Sequence, residues 1–165
     1  MIDKNELNKR IERAEELFLQ GYNCSQSVVV AFADLYGFTE EQALHMSASF
    51  GGGIGRMRET CGTACGLFML AGLEKCALKG EDRASKAENY AMVQQLAEEF
   101  RRRNGALRCA DLLRLGKDTP VVATPEQRTP EYYQKRPCPK LVRTAAEIWV
   151  EFYEKLHEGE TETES

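Results

Sequence analysis

The 165-residue sequence predicts an all-α fold, a single-domain helical bundle of about five to seven helices with a glycine-rich interhelical loop. Three observations predict it. Apolar residues recur with the 3.6-residue period of a helix, capping residues precede several of these runs, and no segment alternates apolar and polar residues as a half-buried strand does. A chain of this length fits one domain with its own core. We expect that domain to span residues 1–157, followed by a disordered acidic tail at 158–165.

Three helices are expected before the glycine-rich segment. Asn23 is the expected N-cap of the second, "CSQSVVVAFADLYG", which is apolar nearly all round and therefore central, and Gly37 ends it. Thr39 and Gln42 stand at capping-box spacing and open a short third helix. The first helix, from about residue 3 to 20, has one apolar face, formed by Leu7, Ile11, Ala14, Leu17 and Phe18.

Two further helices follow that segment. The fourth is expected to begin at Thr60 and to run through "CGTACGLFMLAGLEKCALKG", where Gly62, Gly66 and Gly72 allow close helix approach. The fifth, "EDRASKAENYAMVQQLAEEFRRRNG", is long and amphipathic, and Gly105 stops it. The expected inward residues of the fifth helix are Ala87, Tyr90, Ala91, Leu96, Ala97 and Phe100.

The C-terminal third is expected to contain a short helix, a loop and a last helix. "CADLLRLG" forms the short helix. Residues 117–137 contain four prolines and no apolar period, which predicts an extended surface loop with a functional or covering role. The last helix runs from about Pro139 to Leu156, and its apolar face consists of Leu141, Val142, Ala145, Ile148, Trp149, Phe152 and Tyr153. That face serves the core or a second copy of the chain, so homo-oligomer formation stays open.

Composition narrows the functional class. A net charge of −4 gives no support to a nucleic-acid partner. No apolar run approaches the ~20 residues of a membrane-spanning helix. The N-terminus "MIDKNELNKR" lacks the apolar core of a signal peptide, so we expect a cytoplasmic protein.

Six cysteines are the unusual feature of this chain, and four of them fall in the first turn of an expected helix. Cys24 follows Asn23, Cys61 follows the expected N-cap Thr60, and Cys109 opens the "CADLLRLG" helix. Cys138 precedes Pro139 and is itself an expected N-cap. The other two, Cys65 and Cys76, are expected to be packed residues, with Cys65 one turn after Cys61 as a resolving thiol in the alternative.

First-turn positions favour thiolate chemistry. Unpaired N–H groups and the helix dipole stabilise the thiolate and are expected to lower its pKa. Thiolates bind soft metals and carry out disulfide exchange. Four of them brought together would repel one another unless a metal, protonation or a disulfide relieved the repulsion. The chain has no C-x-x-C motif, so the ligands of any metal would come from four separate elements.

The segment "FGGGIGRMRETCGTACG" has three interpretations. It matches neither a Walker loop nor the dinucleotide fingerprint, so nucleotide binding has weak support. A sharp turn with positive φ is the second. The third, which we favour, is that backbone N–H groups approach an anionic thiolate or cluster sulfur. The residues expected to bind a cofactor in this way are Gly51, Gly52, Gly53, Gly55 and Arg56, with Arg58 adding positive charge.

The stretches "GYNCSQSVVVAFAD", "FGGGIGRMRETCGTACG", "CADLL" and "CPKLV" resemble the C_GCAxxG_C_C family of redox-active proteins, which is related to the domain found with split-Soret cytochromes. The resemblance implies that Cys61 through Gly66 is the family's Cys-Gly-Ala-x-x-Gly segment, with Thr63 in place of alanine. It also implies an iron–sulfur cluster; a haem role does not carry over, because the attachment motif is missing. The four characteristic cysteines would be Cys24, Cys61, Cys109 and Cys138.

Together, these observations predict a small redox protein that is either an oxidoreductase or an electron-transfer protein with an unidentified partner protein. Its four cysteines would bind an iron–sulfur cluster, which we favour, or cycle between dithiol and disulfide. The alternative is a non-redox module that holds structural zinc or a small ligand. In a third interpretation the thiols only pack in the core of an interaction module and bind no cofactor.

Overall fold

The computed structural model describes residues 2–161, and within that range the chain forms α-helices and short 3-10 turns but no strand. The predicted all-α class is confirmed. Of the predicted tail, residues 158–161 form a 3-10 turn, whereas residues 162–165 lie outside the described residues. The helices of the described range are α1 (Lys4–Leu19), α2 (Cys24–Val30), α3 (Glu40–Ser47), α4 (Gly62–Glu74), α5 (Arg83–Asn104), α6 (Cys109–Leu112), α7 (Pro130–Lys135) and α8 (Cys138–His157).

The core is built around α8, which contacts α1, α2, α4 and α5. Trp149 is fully buried at its centre, and the neighbouring Val142 and Ala145 are equally inaccessible. The apolar stripe expected on this helix is therefore turned into the core along most of its length. Within residues 2–161, no helix combines the length and apolarity that crossing a membrane would need.

The second helix is shorter than predicted. It ends at Val30, and the chain continues through a 3-10 turn at Ala33–Tyr36 to Gly37, whose φ is +81°. Because the run is apolar on all sides, periodicity carries no signal for its end. The end is instead stabilised by a tertiary contact, in which Arg10 of α1 donates a hydrogen bond of 3.0 Å to the carbonyl of Ala31.

Glycine brings α2 and α4 close together. The sequence predicts close approach at three glycines, and the structure shows it at two of them, Gly62 and Gly66. A Cβ on Gly66 would lie only 2.8 Å from the Cβ of Val28, whereas a Cβ on Gly72 would meet nothing within 4 Å. The fourth helix begins at Gly62 and ends at Glu74, so it is shorter than expected at both ends. Cys76 therefore lies beyond the helix and is exposed, and the prediction that it packs is wrong.

The inward face of α5 was correctly predicted only in its C-terminal half. Leu96, Ala97 and Phe100 are buried, but Tyr90 is 59% exposed, and Ala87 and Ala91 are also exposed. In the first half of the helix, the face that contains Asn89 lies towards the end of α4 instead. There the Asn89 side chain donates a 2.9 Å hydrogen bond to the carbonyl of Lys75.

Residues 117–136, which we call the strap, are not wholly extended as predicted, because they contain α7. Thr129 caps α7 by accepting a hydrogen bond from the backbone N–H of Tyr132, and Pro130 occupies its first position. Because α7 was not predicted, the described residues contain eight helices, whereas about five to seven were expected. The strap covers one side of the cavity described next.

Candidate functional site

Four cysteines line one cavity of about 280 Å³. Cys24 begins α2, Cys61 precedes α4, Cys109 begins α6 and Cys138 begins α8. Cys24, Cys61 and Cys109 are buried and Cys138 is half-buried, and all four are free thiols. These are the four cysteines that the sequence singled out. Cys65 is buried next to them but is not among the lining residues, and Cys76 is elsewhere on the surface.

An N-terminal capping box positions Cys24. The Asn23 side chain accepts a 2.9 Å hydrogen bond from the N–H of Gln26, as predicted for an N-cap. Its amide nitrogen also donates a 2.9 Å hydrogen bond to the carbonyl of Ala48, which lies just before the glycine segment. One side chain therefore both starts α2 and ties it to the glycine segment. The backbone N–H of Gly52 in that segment favours the thiolate of Cys24 and lowers its pKa, although burial outweighs this effect.

A short backbone pairing brings Cys61 and Cys109 together. Thr60 and Arg108 form an isolated antiparallel bridge. Next to this bridge, the N–H of Cys61 donates to the carbonyl of Leu107 at 2.8 Å, and the N–H of Cys109 donates to the carbonyl of Glu59 at 2.6 Å.

Two of the predicted caps are displaced by one residue. Cys61 is itself the N-cap of α4, although Thr60 was expected there, and its sulfur lies 3.1 Å from the hydroxyl of Thr63. Cys138 was expected to be the cap of α8 but is its first residue, with Pro137 as the cap. All four cysteines nevertheless remain at helix starts.

The glycine segment forms a left-handed turn. The five consecutive residues from Gly52 to Arg56 have φ between +58° and +73°, including the non-glycine Ile54. This conformation is costly for residues with a side chain, which explains why three of the five are glycine. Gly51, Gly52 and Gly55 line the cavity.

Other glycines allow the backbone to approach the thiols closely. A Cβ on Gly53 would lie 2.5 Å from the Cβ of Cys109. A Cβ on Gly62 would lie 2.3 Å from the sulfur of Cys24. Both distances are far below van der Waals contact, so glycine is required at both positions to bring the backbone against the cysteines.

The two arginines of the segment have different roles. A guanidinium nitrogen of Arg58 lies 3.8 Å from the sulfur of Cys109, so Arg58 adds positive charge beside a thiol. Arg56, which we expected to bind the cofactor, donates hydrogen bonds to the carbonyls of Val122 and Thr124 in the strap. It lines the cavity, but its guanidinium is held by the strap.

Sequence reasoning missed the contribution of the strap to this cavity. Glu126, Arg128, Tyr132 and Arg136 are among its lining residues. Arg128 donates hydrogen bonds to the carbonyls of Phe18 at 3.0 Å and of Tyr22 at 3.1 Å, and its guanidinium lies 4.1 Å from the centre of the Phe18 ring. The only sequence signal was the length of the loop, which indicated a covering role but not what it covers.

Burial controls the acidity of these thiols. It raises the pKa of Cys24, and it raises the pKa of Cys61 and of Cys138 to about 12. Backbone N–H groups at the helix starts act in the opposite direction for Cys24 and Cys61, but their effect is smaller. The expectation of lowered pKa values is therefore wrong for these cysteines, which are neutral thiols near pH 7 in the metal-free chain.

Cysteine thiolates are ligands of both zinc and iron–sulfur clusters. Within residues 2–161, no three histidine, cysteine, aspartate or glutamate side chains lie close enough together to hold a metal ion. Tetrahedral zinc needs its sulfur ligands about 2.3 Å from one point. A cluster of several iron and sulfur atoms is larger, and thiolates from four elements around a cavity are the ligand type it takes. Four cysteines are therefore a donor set that either group takes.

The structure is that of an all-α protein whose candidate site consists of four cysteines around one cavity. The family described as "Putative redox-active protein (C_GCAxxG_C_C)" matches residues 22–152, most of the chain, and this protein belongs to that family. The predicted resemblance is thereby confirmed. An uncharacterized protein of Archaeoglobus fulgidus is 28% identical over 152 residues, which cover 87% of this chain and 92% of the relative. No solved structure matches the chain significantly.

Proposed function

We propose that this member of the redox-active family is a small electron-transfer protein that binds an iron–sulfur cluster through Cys24, Cys61, Cys109 and Cys138. The observation that carries the proposal is the shared cavity of about 280 Å³, which these cysteines line from four separate helix starts. When bound, the cluster supplies one-electron chemistry, and the chain supplies four thiolate ligands, N–H groups and positive charge.

The surroundings of the cysteines support a negatively charged group. Clusters held by thiolates are stabilised by hydrogen bonds to sulfur and by nearby positive charge. Gly52 supplies such an N–H at Cys24, and Arg58 supplies a guanidinium at Cys109. Metal binding would also remove the thiol protons that burial retains, because a coordinating thiol is deprotonated outright.

Thiol–disulfide exchange has less support. The attacking species is the thiolate, and exchange is fastest when the thiol pKa lies near the ambient pH. Burial raises the pKa of Cys61 and Cys138 to about 12, so very little thiolate is present near pH 7. A non-redox zinc site would use the same four thiolates, and the metal analysis described next distinguishes it from a cluster.

The test is to purify the protein without oxygen, record its visible spectrum, and measure iron, zinc and acid-labile sulfide in the same sample. We expect a brown protein with iron and sulfide in similar amounts. Each serine variant of Cys24, Cys61, Cys109 and Cys138 should lose most of both. Matched controls are Cys76→Ser, at an exposed position, and Cys65→Ser, next to the cavity but not lining it; both should retain the cluster.

Two results would overturn this proposal. A colourless protein with stoichiometric zinc would indicate a structural metal site. A metal-free protein would leave thiol–disulfide exchange or packing, and a thiol titration before and after mild oxidation would decide between them.

A further inference from the structure

The cavity carries an excess of positive charge. Four of its lining residues are arginines, namely Arg56, Arg58, Arg128 and Arg136, whereas Glu126 is the one carboxylate among the described residues that line it. The chain as a whole is acidic, with a net charge of −4, so the concentration of arginine here is local.

The single carboxylate is already engaged. Glu126 forms an ion pair with Arg136 and lies 3.8 Å from Arg56. It therefore bridges these two arginines and compensates them only in part.

Neither of the remaining two arginines forms an ion pair with a carboxylate of the described residues. Arg128 is held by two backbone carbonyls and the ring of Phe18, and a guanidinium nitrogen of Arg58 lies 3.8 Å from the sulfur of Cys109. Carbonyls and aromatic rings orient a guanidinium without cancelling its charge. Partly buried positive charge without a counter-charge is unfavourable, and a bound anion would offset that cost.

Apolar side chains complete the wall. Leu112 and Leu113 of the α6 region, Leu141 of α8 and Pro125 of the strap line the cavity next to the arginines. A pocket with a few charged groups and a mainly apolar wall binds small organic molecules whose polar end the charges orient. We propose that this cavity binds a small organic anion beside the cysteines, with its charged end near Arg58 and Arg128 and its apolar part against the leucines.

In the loaded protein this ligand would lie beside the cluster and share the positive charge of Arg58 with it, and in that respect the inference rests on the proposed function. Anion binding by the arginines can be tested without the cluster, so the two can fail independently. The probes are iodoacetate and iodoacetamide, two thiol reagents of similar size, of which only iodoacetate is an anion. Because both attack the same thiolate, the ratio of their rates does not depend on how much thiolate is present.

The experiment uses the full-length, reduced and metal-free protein, and it follows the two alkylation rates by mass spectrometry of tryptic peptides. Cys109 is released in "CADLLR", and the exposed Cys76 is released in "CALK" as an internal control. We expect the iodoacetate-to-iodoacetamide ratio at Cys109 to exceed that at Cys76 by about tenfold, since a positively charged cleft concentrates anions. High salt should reduce this difference.

Variants of Arg58 link the selectivity to its charge. Arg58→Gln should lower the ratio at Cys109 several-fold, whereas Arg58→Lys, which keeps the charge, should largely preserve it. Arg83→Gln, at an exposed position at the start of α5, is the matched control and should change nothing. A urea unfolding curve for each variant establishes that it folds.

Three outcomes would overturn the inference. Equal ratios at Cys109 and Cys76 would mean that the cavity does not select anions. A ratio unchanged in a folded Arg58→Gln protein would mean that its guanidinium does not provide the selectivity. Failure of either reagent to reach Cys109 would mean that the cavity does not admit a small molecule.

Discussion

Single glycines decide how near the backbone comes to each thiol. Gly62 and Gly72 lie on the same helix, α4, and the sequence predicts close helix approach at both. Their surroundings differ completely, because a Cβ on Gly62 would lie 2.3 Å from the sulfur of Cys24 and 2.8 Å from the carbonyl oxygen of Phe50, whereas a Cβ on Gly72 would meet nothing within 4 Å. The two glycines therefore form a matched pair for mutation.

Gly62→Ala should lower the free energy of unfolding by about 1–3 kcal/mol, the usual cost of overpacking. It should also reduce the iron and sulfide content, because Cys24 must move. Gly72→Ala should be neutral or stabilise the protein by about 0.5–1 kcal/mol, since alanine is favoured over glycine inside a helix. Urea unfolding and metal analysis of both variants measure these effects. Equal stability changes in the two proteins would show that the close contact at Gly62 is not rigid.

At the scale of helices, capping positions the cysteines. The sequence predicts Asn23 as the N-cap of α2 and a capping box with Thr39 at the start of α3. Both are confirmed, and Asn23 also forms a capping box. They differ in what they support. Asn23 precedes Cys24 and also binds the carbonyl of Ala48, whereas Thr39 caps a helix that contributes no cysteine to the cavity.

Asn23→Ala and Thr39→Ala should each lower the free energy of unfolding by about 1 kcal/mol, the usual contribution of an N-cap. Only Asn23→Ala should also release the start of α2 from the glycine segment, and it should therefore raise the rate at which iodoacetamide modifies Cys24. Unfolding curves and peptide mapping of the reduced, metal-free proteins measure the two effects separately. If Thr39→Ala accelerated Cys24 modification equally, general destabilisation would account for both.

Across the whole molecule, the strap completes the cavity with residues far from the cysteines in sequence. Arg128 fastens it to the end of α1 through the carbonyls of Phe18 and Tyr22, and Arg56 fastens it to the glycine segment through Val122 and Thr124. The strap has few buried side chains of its own. Its position therefore depends on these arginine contacts and on Tyr132 and Tyr133, which pack against the core.

Arg128→Ala should loosen the strap without unfolding the bundle, because the buried core lies elsewhere. Amide hydrogen exchange in residues 117–136 should accelerate about tenfold, and neutral iodoacetamide should modify Cys138 faster. Lys117→Ala, an exposed position in the same strap, should leave both rates unchanged. Unaltered exchange in the Arg128 variant would mean that other contacts hold the strap.

Several parts of this molecule could be predicted because they depend on near neighbours in the chain. Apolar periodicity indicated α1 and α8, and capping residues marked the starts of α2 and α3. The same local signals located four cysteines at helix starts. The errors occurred where local signals are weak, at the end of the all-apolar second helix and on the inward face of α5.

Tertiary packing decided that the four cysteines share one cavity. The shared cavity results from contacts between distant segments, such as the pairing of Thr60 with Arg108, and the arginine excess is completed by the strap. The protonation of the thiols was decided in the same way. The helix starts favour thiolates locally, but burial by the rest of the fold raises the pKa of Cys24, Cys61 and Cys138. The loss of hydration destabilises a buried thiolate more than a few N–H groups stabilise it.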